Sequence, residues 1–76
     1  MNKQRRNDIS KCITDLEIAK SNLEIILSEE EDAFENMPEN LQSSFRGETA
    51  EEAIDVLNEA IDNLDDIINS LTEISV

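Results

Sequence analysis

Carboxylates hold most of the chemical potential of this chain: 19 Asp and Glu against 6 Lys and Arg give a net charge of -13 over 76 residues. Clustered carboxylates can ligate a divalent cation, imitate the phosphate track of a nucleic acid, or hold a basic protein surface. The cation reading needs a ligand loop, and no Asp-x-Asp-x-Asn-Gly run occurs. Di-iron helical bundles use Glu-x-x-His, and the chain has no histidine. The same absence removes the usual general base, and a single glycine leaves no phosphate-cradling loop. Cys12 is the one thiol; it reads as a small buried apolar residue, since a nucleophile would need an activating base. These residues predict a non-enzymatic protein without catalytic residues, metal or cofactor.

Most of the acids fall on one ridge. In the second half of the chain, Glu51 and Asp65, then Asp55 and Asp62, then Glu52, Glu59, Asp66 and Glu73, occupy the three heptad columns that face away from the apolar ones. Nine acids from Glu48 to Glu73 lie along a helix of about 26 residues, or roughly 39 Å, which is one charge per ~4 Å. Duplex DNA carries one per ~1.7 Å. A single ridge is too dilute to mimic nucleic acid, whereas two ridges presented by a dimer approach the density. The block Glu29 to Asp32, with Glu35, adds negative charge near the end of the first helix, where the macrodipole disfavours it.

Five of the six bases lie in residues 1 to 20, and the remainder has sixteen acids against Arg46 alone. Like charges therefore oppose direct binding to nucleic acid or an anionic membrane, and a basic protein is the favoured partner. No apolar run is long enough to cross a bilayer, and the basic start is not followed by an apolar signal segment. These features predict a cytoplasmic protein.

Heptads position these charges. The first helix is expected from about 7 to 36, with apolar columns Ile13, Leu27, Phe34; Ile9, Leu16, Leu23, Met37; and Cys12, Ala19, Ile26, Ala33. Lys20 and Glu30 interrupt them, as rim residues with buried stems or as paired charges that fix register. Gly47 then reads as a stop, and Thr49 to Glu52 as a capping box opening a second helix from about 49 to 74. Its columns are Ala50, Leu57, Leu64, Leu71; Ala53, Ala60, Ile67, Ile74; and Ile54, Ile61, Ile68.

Within the connector, about 37 to 48, Pro38 starts a short helix to about residue 45, and Met37, Leu41 and Phe45 are expected to plug the bundle end. Three apolar columns per helix exceed what a two-helix seam needs, and so small a chain buries little surface alone. The prediction is an all-α antiparallel two-helix hairpin with a short connecting helix, dimerising with itself into a four-helix bundle. Matching large to small side chains places Phe34 near Ala53 and Lys20 near Asp66. Ile18 and Ile25 share a column opposite the stripe, as isolated exposed apolars or as a second contact face.

The stretch from Phe34 to Gln42, then Arg46-Gly47-Glu48 and Glu52 to Asp55 with further acidic heptads, resembles a group of small uncharacterised acidic helical proteins of bacteria, phages and prophages that share an F-x-N-(M/L)-P-x-N-L-Q segment. The resemblance covers about residues 30 to 70 and implies a phage-borne or accessory setting, with no activity attached. Such a setting favours an inhibitor that captures a basic or nucleic-acid-binding host protein, and the residues offer two surfaces for it, the acidic ridge or a tip presenting Asn36, Asn40, Gln42 and Arg46 beside Met37, Leu41 and Phe45. The alternative is a structural, self-assembling subunit whose acids serve solubility.

Overall fold

Side chains shielded along the first helix recur at alternating steps of three and four: Arg6, Ile9, Ile13, Leu16, Lys20, Leu23, Leu27, Glu30 and Phe34. A repeat averaging 3.5 residues keeps one narrow stripe turned toward a neighbouring helix. In the computed structural model, which describes residues 1–76, this stripe runs along α1 (Lys3–Glu35) and faces α3 (Phe45–Ser75), which returns antiparallel to it. On α3 the same steps pick out Gly47, Ala50, Ile54, Leu57, Ile61, Leu64, Ile68 and Leu71. One turn of helix, α2 (Glu39–Gln42), joins the two, and the result is an extended hairpin of 58 × 15 × 13 Å.

Two helices in contact have little interior. Only Ile13, Gly47, Ala50 and Ile61 are buried, and two of the three apolar columns on each helix form the seam. The third does not enter it. Cys12, Ala19, Ile26 and Ala33 are exposed, as are Ile67 and Ile74, while Ala53 and Ala60 are half-buried at the edge. Within the single hairpin Cys12 is exposed rather than buried as expected, because a two-helix contact is too narrow to cover a third column.

The helix ends also differ from expectation. α1 begins four residues early, because the Asn2 side chain accepts a hydrogen bond from the Arg5 backbone N–H at 2.8 Å and caps the helix. α3 begins at Phe45 rather than Thr49, and the connecting helix is a single turn. The Thr49 capping box does not form; its hydroxyl donates to the Phe45 carbonyl at 2.8 Å, one turn back inside the helix. Ser44 occupies the cap position, and its carbonyl accepts from the Glu48 N–H at 2.9 Å.

Gly47 is therefore not a stop. Its φ is not positive, so its value is space: a Cβ there would overlap the Gln42 backbone. The reversal packs the end of α2 directly on the first turn of α3, and only glycine permits the approach. Gln42 fastens the same corner, its Nε2 donating to the carbonyls of Phe34 and Met37, each at 3.2 Å. Met37 and Leu41 are half-buried there as expected. Phe45 is not, at 83% exposed; the early start of α3 puts it on the outer face.

Lys20 marks the register. Its Nζ meets Asp65 at 2.5 Å, one residue from the expected Asp66. Aligning the shielded rows with this contact places Phe34 opposite Ala50 and Ile13 opposite Leu71. The slide from the Phe34 to Ala53 pairing is three residues, about 4.5 Å and less than one helical turn. Substituting Gly47→Ala should cost about 1 to 3 kcal/mol through backbone overlap, whereas Phe45→Ala should shift stability by less than about 0.5 kcal/mol. Urea unfolding followed by circular dichroism measures both.

Candidate functional site

The Lys20 ammonium orients the hairpin. Besides Asp65 it approaches Glu24 at 3.9 Å. Asp65 and Glu24 each directly follow a seam residue, Leu64 and Leu23. Reversing one helix against the other brings equivalent flanks together, so the positions that follow these seam residues share one side of the hairpin. The columns that precede Ile13, Lys20, Leu27 and Phe34 on α1, and Ile54, Ile61 and Ile68 on α3, share the opposite side. These preceding columns are the third apolar ones, so the hairpin has an apolar side and a polar side.

On the apolar side Ile26, Ile67 and Ile74 are 49%, 48% and 50% exposed, interleaved with Cys12, Ala19, Ala33, Ala53 and Ala60. These residues were legible in the sequence as apolar, but their third-column spacing pointed to an interior. The structure makes them a surface.

The polar side and outer face of α3 carry the acidic ridge. Glu51, Glu52, Asp55, Glu59, Asp62, Asp66 and Glu73 are all exposed. Asp65 stands apart, half-buried under Lys20 and engaged by it. The hydrogen bond to Asp65 raises the Lys20 pKa above its usual 10.5; partial burial opposes this, and the charges of Asp65, Glu24 and Glu17 add to the rise. One carboxylate of the ridge is thus engaged by the other helix, and the others are free of ion pairs.

The remaining candidates are not gathered into one place. Ile18 and Ile25, 56% and 57% exposed, lie on the back of α1, away from both the seam and the acidic ridge. Asn36, Asn40 and Arg46 are exposed around the closed end. Gln42 points inward and ties the turn, so the closed end combines a structural amide with three free polar groups and the exposed Phe45 ring. No cavity forms anywhere on the hairpin, and no three acidic or thiol side chains converge into a cation site. No helix is long and apolar enough to cross a membrane. The chemistry available is that of two broad, opposite surfaces.

Because the folded-state pKa of Lys20 is raised, its ion pair contributes full stability below about pH 10.5, and the contribution disappears as pH climbs through the folded value. Unfolding free energy should therefore fall as pH rises above about 10.5, and Lys20→Met, which keeps the apolar stem, should flatten that fall. Urea titrations across this range give the comparison.

Comparisons with protein-family models, with curated proteins and with solved structures find no match to this chain, so its functional reading rests on the two sides of the hairpin.

Proposed function

We propose that this chain is a non-enzymatic, acidic protein-binding module that works as a homodimeric four-helix bundle and captures a basic, nucleic-acid-binding protein, in the manner of the phage or prophage inhibitors suggested by its connector. The observation that carries the reading is the placement of apolar and acidic columns on opposite sides of one rod. Covering the apolar side leaves the ridge of Glu51, Glu52, Asp55, Glu59, Asp62, Asp66 and Glu73 facing outward, so assembly and capture do not compete for surface.

The acids of the ridge make few bonds within the chain. Apart from Asp65, none of them forms an ion pair, and their mutual repulsion opposes folding. A basic partner would relieve that repulsion, which gives the ridge an energetic reason to bind one. The second reading is a self-assembling structural subunit whose acids maintain solubility; the breadth of the apolar side favours it equally.

Salt separates the two. Tagged protein exposed to nuclease-treated lysate should retain a basic protein at low salt, release it steeply as salt rises, and lose it to competing duplex DNA. Neutralising four ridge acids together (Asp55→Asn, Glu59→Gln, Asp62→Asn, Asp66→Asn) should abolish retention while helicity persists. Retention that is insensitive to salt and to these changes overturns capture by the ridge and leaves self-assembly.

A further inference from the structure

The apolar side has one occupant that the molecule itself specifies. We infer that it is covered by a second copy of this chain, laid head to tail so that the open end of each hairpin rests on the closed end of the other. This rests on the homodimer reading above and adds the face and the orientation.

Area and shape both accept a second copy. A side of 58 × 15 Å offers at most about 870 Å² per hairpin, or about 1,700 Å² for two, which is the size of a standard stable interface. Under a two-fold axis across the middle of the rod, Ile26 falls against the second copy's Ala19, Ile67 against its Ala60, and Ile74 against its Ala53, so each large side chain meets a small one. The parallel arrangement, with both closed ends together, also pairs large with small. Size selects the occupant without selecting its direction.

Charge selects the direction. The half of the hairpin nearer the open end, residues 1–22 and 62–76, has seven acids against five bases, a net of -2; the closed half, residues 23–61, has twelve acids against one base, a net of -11. A parallel dimer sets the two -11 halves side by side, whereas the head-to-tail dimer sets each against a -2 half that carries Lys3, Arg5 and Arg6. Repulsion in a parallel pair would be the greater along the whole closed half. The head-to-tail axis also stacks α3 on α3 of the second copy, aligning the two acidic ridges along one edge of the bundle. That edge approaches the charge density which a single ridge lacks.

A nitroxide at Ser10→Cys, in a Cys12→Ser background, tests the arrangement, because Ser10 lies on the exposed polar side near the open end. Head-to-tail packing separates the two labels by about 35 Å along the rod and about 40 Å in all. Parallel packing leaves only the bundle width, about 25 Å or less. A dimer by sedimentation with a pulsed dipolar distance near 40 Å is the expected result. A dimer with a distance of 25 Å or less overturns the orientation and spares the homodimer, and a monomer overturns both. The face is tested separately: Ile26→Glu with Ile67→Glu should weaken dimerisation by at least about 100-fold while the hairpin stays helical. Ile18→Glu with Ile25→Glu should leave the dimer unchanged, and the reverse pattern overturns the assignment of the face.

Discussion

Two helices in contact can shield only the stripe along which they touch. That limit governs this molecule, because each long helix carries three apolar columns and a single neighbour covers two. The seam is consequently narrow, with Ile13, Ala50 and Ile61 as its buried apolar residues, and the third column on each helix lies outside. Antiparallel packing then does something that neither helix can do alone: it brings the two leftover columns to the same side. A surplus of apolar residues on each helix becomes one continuous apolar surface on the hairpin.

The charges follow from the same packing. Lys3, Arg5 and Arg6 sit at the start of α1, and Glu29 to Asp32 with Glu35 sit at its end, so both groups oppose the dipole of their own helix. Antiparallel pairing places the bases beside the C-terminus of α3 and the acids beside its N-terminus, where the neighbour's dipole partly offsets the cost. The remaining acids spread along the polar side and outer face of α3, and only Asp65 is drawn into the seam. Lys20 pairs with it across the edge of the seam, so that an interruption of the apolar pattern carries an interhelical ion pair. Glu30 is the second interruption; it is half-buried with no cation within 4 Å, as expected of a rim residue with a covered stem.

Much of this was legible because helical periodicity is local. Ala53, Ala60, Ile67 and Ile74 declare an amphipathic helix without reference to anything else in the chain, and Glu52, Glu59, Asp66 and Glu73 declare its outer face. The closed end was misread for the converse reason. Thr49-x-x-Glu52 satisfies the local chemistry of a cap, and Gly47 that of a stop, yet the backbone of Gln42 arrives against Gly47 from outside the helix and starts α3 earlier. Phe45 moved from plug to outer face with that start. Gln42, offered by its position as part of a recognition tip, is instead the amide that fastens the turn.

The sequence by itself determined that there are two long helices, where their apolar and acidic faces lie, and that net negative charge is concentrated beyond the first twenty residues, since each of these is read from residue type and position along the chain. Only the tertiary structure decided which apolar columns are interior and which are surface. Burial is a property of what lies opposite a side chain, and that depends on the antiparallel return of α3 against α1, elements distant in sequence whose register the ion pair of Lys20 with Asp65 marks.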